Sequence, residues 1–207
     1  QIAFPYGLSC AVGSELAFHR FNDMRFDGKA RIARLEEITD TNSLENALTN
    51  LPREAHTPYL PYGTLYRVTL DRPLATTRLA FVSEEDLAGA GAVLRSNYFH
   101  DNNRWGVLVK SPGTRIEGNR FERTGGPGVA VIPEQRWLEG PLARGIAIRG
   151  NTLIENCRQI DMRTDRNAAI GSICFLVSMN SGACAFSPEA LMGGGLIEGN
   201  EILRPGN

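Results

Sequence analysis

The stretch "GVLVKSPGTRIEGNRFERTG", residues 106–125, decides the fold of this chain. Apolar residues alternate with polar ones in short pieces, and Gly, Pro and Asn separate the pieces. Alternation with a period of two indicates short strands, and no helical stripe runs through this region. The part "RIEGNRF" has the form apolar–x–Gly–Asn–x–apolar, and this form recurs along the chain.

The recurring phrase marks a repeat whose period is set by its asparagine. Related copies are "LRSNYFHDN", "IRGNTLIEN" and "LIEGNEILRP", and the four asparagines are Asn97, Asn119, Asn151 and Asn200. Their spacings are 22, 32 and 49 residues, so the second and third repeats contain insertions. A second marker has the same period, because a Gly-Val pair starts nine residues after both Asn97 and Asn119.

A unit of 22 residues with two or three short strands fits one coil of a right-handed parallel β-helix, a pectate-lyase-like solenoid. A leucine-rich repeat is set aside because its L-x-x-L-x-L pattern is absent. We expect Asn119 and its equivalents to take a left-handed conformation at a bend and to bond to each other in a ladder. Ile116 and Phe121 are expected to point inward.

The chain is predicted to be all-β, with a small β-rich subdomain inserted in the solenoid. Residues 31–90 do not follow the repeat, and their strands are predicted in "RIARLEEI", "TLYRVTLDRPL" and "TTRLAFVS", with a short helix in "NSLENALTNL". We therefore expect a partial β-helix coil over 1–30, an inserted barrel-like subdomain over 31–90 and β-helix coils over 91–207. The two ends suggest a fragment or a processed product.

Composition limits the class of ligand. The formal charge of -1 gives no electrostatic case for nucleic acid or an anionic membrane surface. No apolar run reaches the roughly 18 residues of a membrane span.

The cysteines of the chain lack C-x-x-C spacing, so neither a metal nor a cofactor is expected. They are Cys10, Cys157, Cys174 and Cys184. A Cys174–Cys184 disulfide and buried free thiols both remain open.

Insertions in a solenoid become loops, and loops carry sites. The loop "PEQRWLEGPLA", residues 133–143, brings together Glu134, Arg136, Trp137 and Glu139. A pyranose stacks on an aromatic ring, while carboxylates and guanidinium groups bind its hydroxyls. Alternatively, Trp137 covers the flank of the solenoid and the charges are solvated. The next insertion begins with four charged residues that either line the same groove or form a solvated turn, namely Asp161, Arg163, Asp165 and Arg166.

Residues 91–157, from "GAVLRSNYFH" through "GVAVIPEQRWLEG" to "NTLIENC", resemble the right-handed β-helix proteins of carbohydrate metabolism. Within these they are most similar to the glycoside hydrolase family 110 α-galactosidases and their relatives. The resemblance implies inverting hydrolysis of terminal α-linked galactose by two carboxyl groups about 6.5–9.5 Å apart. It aligns the family's Asp pair with "FNDMRFDG", where Asp27 takes the second position and Phe26 stands at the first.

The leading hypothesis is a glycoside hydrolase that acts on an oligo- or polysaccharide outside the cytoplasm, in the extracellular space or periplasm. Its candidate catalytic carboxyls are Asp27, Asp101, Glu134 and Glu139, and its candidate binding residues are His100, Arg104, Lys110, Arg136 and Trp137. A polysaccharide lyase or epimerase, and a non-catalytic carbohydrate-binding or structural β-helix, are the alternatives. The oligomeric state is left open.

Overall fold

The computed structural model describes residues 2–4, 10–21, 23–40, 42, 45–46, 49–50, 64–76, 80–132, 140–159, 171–176 and 192–204. Over these residues the fold is all-β, with one short 3₁₀ helix at Glu85–Leu87 and helical conformation at the described positions between 42 and 49. The chain divides into two compact units, one built from the described residues up to 88 together with Gly140, the other from those that remain.

Over its described residues, the first unit contains one antiparallel sheet with the strand order β1-β4-β3-β2-β5. Its strands are β1 (Ile2–Phe4), β2 (Glu15–Arg20), β3 (Phe26–Ile38), β4 (Thr64–Leu70) and β5 (Ala80–Ser83). The strands predicted between 31 and 83 are thus present. The boundary predicted at residue 30 falls inside β3.

Residues 15–20 are antiparallel to β3, so they belong to the same sheet and not to a parallel coil. The apolar side chains of "LAF" in β2 are buried, and Leu16 and Phe18 pack with Ile32 in the core of this unit. Alternation alone is compatible with either kind of sheet, and this segment carries no repeat asparagine that would set a parallel register.

In the described part of the second unit, three-residue strands form three parallel sheets. The first parallel sheet has the order β15-β12-β9-β6, the second β16-β13-β10-β7 and the third β14-β11-β8. The strand bounds are β6 (Val93–Arg95), β7 (Tyr98–His100), β8 (Val107–Val109), β9 (Arg115–Glu117), β10 (Arg120–Glu122), β11 (Val129–Val131), β12 (Ala147–Arg149), β13 (Thr152–Ile154), β14 (Ile173–Phe175), β15 (Leu196–Glu198) and β16 (Glu201–Leu203).

The pairing register follows the asparagine spacing. In the second parallel sheet, Phe121 pairs with Phe99 on one side and with Leu153 on the other, and Leu153 pairs with Ile202. These partners are separated by the same 22, 32 and 49 residues as the asparagines. The insertions therefore enter between strands and leave the alignment of the strands unchanged.

The central residues of β9, β10, β12 and β13 point into the core. Ile116, Phe121, Ile148 and Leu153 are fully buried, and the ring of Phe99 stacks on that of Phe121 at 5.0 Å. Full burial of such a side chain contributes about 1.5–3 kcal/mol. The expectation that Ile116 and Phe121 point inward is confirmed.

The repeated asparagines form the expected ladder. Oδ1 of Asn119 accepts hydrogen bonds from the backbone N and Nδ2 of Asn97, at 2.9 and 3.0 Å. Asn151 accepts in the same way from Asn119, and Asn200 from Asn151. Each Nδ2 also donates to a backbone carbonyl, which for Asn151 is that of Ile116, at 2.8 Å. The ladder therefore satisfies backbone and side chain together.

The left-handed residue at this bend is not the asparagine. Positive φ angles occur at the residue before it, namely Ser96, Gly118, Gly150 and Gly199. The expectation for Asn119 was wrong, since the preceding glycine takes the strained conformation at little cost and leaves the asparagine to bond across units. A second column of positive φ angles follows the second parallel sheet at Asp101, Arg123, Glu155 and Arg204.

Close packing requires the glycine of the recurring Gly-Val pair. A Cβ atom on Gly106 would lie 2.5 Å from the carbonyl oxygen of Gly128 and 2.6 Å from the Phe121 ring, too close for any other residue. Val107 pairs with Val129, and that strand pairs in turn with β14. The marker therefore identifies a point of close approach between neighbouring repeats.

Cys10, Cys157 and Cys174 are buried free cysteines. Burial is the main cause that raises the pKa of each thiol. Cys174 therefore fits the free-thiol alternative, and Cys184 lies outside the described residues. Within the described ranges, no helix has the length and apolar character needed to cross a membrane.

Candidate functional site

An exposed group of aromatic and charged side chains lies on the outer face of the second parallel sheet. Alternation in β7 directs Phe99 inward and Tyr98 and His100 outward. The parallel register then sets Arg120 beside Tyr98 and Glu122 beside His100. We call this group the β7–β10 patch, which comprises Tyr98, His100, Asp101, Arg120, Glu122 and Arg123.

Asp101 and Arg123 form a two-point ion pair at the end of their strands. Nε and Nη2 of Arg123 lie 2.6 and 2.7 Å from the two carboxylate oxygens of Asp101. Nδ1 of His100 lies 2.9 Å from Oδ2 of the same carboxylate. These hydrogen bonds, the one from Arg123 first, hold the pKa of Asp101 well below its usual range. Asp101 is therefore an anion at neutral pH.

Glu122 sits at the centre of the patch and is mostly buried there. The hydroxyl of Tyr98 donates to Oε2 at 2.8 Å, and Nε of Arg120 donates to the same oxygen at 2.9 Å. Arg123 contacts the other carboxylate oxygen. The hydrogen bonds from Tyr98 and Arg120 lower the pKa of Glu122, so this carboxyl is also ionised at neutral pH.

The aromatic part of the patch is accessible. Tyr98 is 52% exposed, and its ring stacks on that of His100 at 4.4 Å with an interplanar angle of 27°. The guanidinium carbon of Arg120 lies 5.7 Å from the centre of the Tyr98 ring. The ring orientation is thus fixed by a stacked neighbour, a cation and the hydroxyl bond to Glu122.

The predicted residues Arg104 and Lys110 lie in the same unit. The guanidinium of Arg104 lies 5.6 Å from the centre of the Trp105 ring, and its backbone N–H donates to the side chain of Asn102. Lys110 follows β8 and is partly buried. Of the predicted residues in this unit, the structure brings His100 and Asp101 into direct contact.

Asp27 lies in the other unit, on β3. Its Oδ1 is 2.8 Å from Nε of Arg20, and its Oδ2 accepts a hydrogen bond from Thr76 at 3.1 Å. The Asp27 side chain is only 3% exposed. Phe26, at the first position of the aligned pair, contacts the ring of His19 at 5.5 Å. Both oxygens of Asp27 therefore have structural partners.

The predicted loop residues Glu134, Arg136, Trp137 and Glu139 lie outside the described residues, as do Asp161, Arg163, Asp165 and Arg166. The chain leaves the third parallel sheet at Ile132 and is described again from Gly140, before β12. In sequence, residues 133–139 therefore fall between β11 and β12, where the longer second spacing predicts an insertion.

Sequence reasoning missed Tyr98, Arg120, Glu122 and Arg123. A signal for them exists, because Tyr98 to Arg120, His100 to Glu122 and Asp101 to Arg123 are each separated by the repeat period. Once the asparagines fix that period, residues one period apart are neighbours across two strands. Opposite charges at such an offset predict an ion pair.

The carboxyl groups of the patch are not suited to proton donation at neutral pH. Asp101, Glu122 and the neighbouring Glu117 all have a lowered pKa, caused first by hydrogen bonds from Arg123, Tyr98 and Arg95, respectively. A general acid at neutral pH needs a raised pKa instead. Among the described side chains, no three His, Cys, Asp or Glu residues converge in the way that metal ligands do.

No protein-family model matches this sequence, and a search of the curated proteins finds no match either.

Proposed function

We propose that the second unit is part of a right-handed parallel β-helix that binds an oligo- or polysaccharide at the β7–β10 patch. Support for the fold comes from strands that pair in parallel at the asparagine spacing and from three sheets that recur in the same order in successive repeats. In such solenoids the exposed sheet faces serve as extended binding surfaces.

The observation that carries the binding proposal is the exposed Tyr98 ring within a network of ionised groups. The apolar face of a sugar ring packs on an aromatic ring, and its hydroxyls both donate to carboxylates and accept from guanidinium groups. Asp101, half-exposed and bonded to the stacked His100, and Arg120 offer these two kinds of group beside the ring. Because the network is already bonded together, little side-chain entropy is lost when a ligand binds.

The test is titration of neutral and acidic oligosaccharides, α-galactosides included, into the protein with calorimetric detection. Tyr98→Ala is expected to weaken binding about tenfold, the order of one lost aromatic contact. Tyr66→Ala is a matched control, since Tyr66 is a tyrosine of the first unit whose hydroxyl also bonds to a glutamate, Glu37, at 3.3 Å. Equal affinity of the Tyr98 variant and the native protein would refute the proposal.

Hydrolysis by an inverting pair of carboxyl groups is the second candidate function, favoured by the position of the inserted loop between β11 and β12. Its acid and base would come from Glu134 and Glu139, since Asp101 is ion-paired and Asp27 is bonded on both oxygens. Release of galactose from α-galactosides, abolished by Glu134→Gln or Glu139→Gln, would establish this activity. Either function implies an extracellular or periplasmic location, where glycans are available.

A further inference from the structure

The charge of the chain is unevenly distributed between the two units. Over the described residues, the second unit carries ten Lys and Arg against six Asp and Glu, a net charge of +4. The described residues of the first unit carry seven Lys and Arg against eleven Asp and Glu, a net charge of -4. A surface with an excess of one sign attracts ligands of the opposite sign. The second unit therefore favours anionic ligands.

Three arginines surround Glu117 on the outer face of the first parallel sheet. The register pairs Glu117 with Arg95 on one side and with Arg149 on the other. Arg115 lies two residues before Glu117 on β9, so alternation directs it to the same face. Nε and Nη2 of Arg95 donate to Oε2 of Glu117 at 3.0 and 2.6 Å. We call Arg95, Arg115 and Arg149 the arginine cluster.

The guanidinium groups of the cluster are more exposed than the carboxylate that they surround. The side chains of Arg95 and Arg149 are 60% and 51% exposed, whereas that of Glu117 is 18% exposed. Nε of Arg149 lies 3.5 Å from the carboxylate of Glu198. Arg115 is exposed and forms no ion pair with any of the described carboxylates. A ligand that approaches this face therefore meets guanidinium groups before it meets Glu117.

The electrostatic effect of the three arginines is visible at Glu117. The hydrogen bond from Arg95 is the main cause that lowers the pKa of this carboxyl, and the charges of Arg95, Arg115 and Arg149 lower it further. Glu117 is thus ionised at neutral pH and compensates one of the three positive charges. The cluster retains positive charge after this compensation.

The cluster adjoins the β7–β10 patch along the chain. Arg95 ends β6 and Tyr98 begins β7, and two residues of the bend separate them. The Cα atoms of residues 95 and 98 are therefore at most about 11 Å apart. The equivalent bend of the next repeat joins Glu117 to Arg120. A ligand of several sugar units that stacks on Tyr98 can thus extend to the cluster.

We propose that the ligand of the second unit is an acidic oligo- or polysaccharide, whose carboxylate or sulfate groups bind the arginine cluster while one of its sugar rings stacks on Tyr98. This inference rests on the binding function proposed above and specifies the chemical class of the ligand. Guanidinium groups donate paired hydrogen bonds to carboxylate and phosphate oxygens, and a sulfate presents its oxygens in the same tetrahedral arrangement. Glu117 already holds Arg95 in place, so less side-chain entropy is lost on binding.

Calorimetric titration of matched acidic and neutral ligands tests the proposal. An oligogalacturonate is compared with its methyl ester, and a sulfated galactan oligosaccharide with its desulfated form, so the sugar chain is constant within each pair. At least one acidic ligand is expected to bind about tenfold more tightly than its neutral partner, the order of one charged hydrogen bond. This preference should decrease between about 0.01 and 0.1 M salt, since the Debye length falls from about 30 to about 10 Å.

A double variant tests whether the cluster causes the preference. Arg115→Gln with Arg149→Gln removes two cations and leaves Tyr98 in place, and it is expected to bind the acidic ligand no more tightly than the neutral one. Arg34→Gln with Arg67→Gln is the matched control, because these are exposed arginines of the first unit that also lie beside a glutamate. The control is expected to keep the native preference. Far-ultraviolet circular dichroism confirms that both double variants are folded.

The possible results separate this proposal from sugar binding itself. Equal affinity for the acidic and neutral members of both pairs, with binding still weakened by Tyr98→Ala, would overturn the acidic ligand and leave sugar binding in place. An unchanged preference in the Arg115 and Arg149 double variant would also overturn it. Tighter binding of a single-stranded DNA oligonucleotide of equal charge would assign the cluster to nucleic acid instead. The absence of binding to every sugar would overturn both proposals.

Discussion

Replacement of Asn151 by Ala removes one of the two central asparagines of the ladder. Its Oδ1 accepts from the backbone N–H and the Nδ2 of Asn119, at 2.9 and 3.0 Å, and its Nδ2 donates to Ile116 and to Asn200. Asn119 and Asn151 are both buried. The substitution therefore leaves two buried donors on Asn119 without acceptors. At about 1–3 kcal/mol for each, the free energy of unfolding is expected to fall by about 2–6 kcal/mol.

The control is the same substitution at the exposed end of the ladder. Asn97→Ala loses two side-chain hydrogen bonds, but the backbone N–H of residue 97 still donates to Asn119 at 2.9 Å. The free energy of unfolding of Asn97→Ala is expected to fall by less than about 1 kcal/mol. Urea denaturation followed by circular dichroism measures both variants, with the slope m as a check that the unfolded states are alike. A cost for Asn151→Ala no larger than that for Asn97→Ala would refute the role assigned to the ladder.

Three further outcomes are expected. Phe121→Ala should lower the free energy of unfolding by about 3–5 kcal/mol because its ring is fully buried in the core, and a loss under 1 kcal/mol in urea would contradict that packing. Gly106→Ala should lower the stability of the fold more than Gly118→Ala does, because a Cβ at 106 would lie 2.5 Å from backbone, whereas one at 118 meets open space at a φ of 60°. Thermal melts compare the midpoints of the two variants, and a lower midpoint for Gly118→Ala would be inconsistent with the close approach at Gly106. The lowered pKa of Asp101 means that its pair with Arg123 stabilises the fold fully above the ordinary aspartate pKa of about 4, and that this contribution is lost as pH falls toward the lower, folded-state pKa. Urea melts at a series of pH values should therefore show the native protein and Asp101→Asn converging in acid, and a constant difference would count against the ion pair.

The strands of the second unit could be predicted because the repeat overdetermines them. Period-two alternation marks each strand, and the asparagine spacing fixes which strands pair. Residues 15–20 show the limit of this reasoning, since their apolar pattern fits any strand and antiparallel pairing with β3 depends on contacts distant in sequence. The left-handed position was misassigned because two adjacent residues, Gly118 and Asn119, both tolerate it. The ladder geometry decides between them.

The candidate site was predictable only in part. His100 and Asp101 drew attention as adjacent polar residues, and they are in contact. Their neighbours Arg123 and Tyr98 give them a role, and these neighbours can be recognised only when the sequence is aligned at its repeat period. The prediction for Asp27 depends on a resemblance in one short segment. Its actual partners, Arg20 and Thr76, are set by an antiparallel sheet that the resemblance did not include.

The unequal asparagine spacing has a consequence for the order in which the chain folds. The three ladder steps close loops of 22, 32 and 49 residues. Loop closure entropy grows with the logarithm of loop length, so the last step costs about 0.7 kcal/mol more than the first. Bringing together the two repeats around Asn97 and Asn119 thus has the lowest entropic cost, and they also leave the ribosome before the repeats of Asn151 and Asn200. Assembly of the stack is expected to start there and to add later repeats in the order of synthesis.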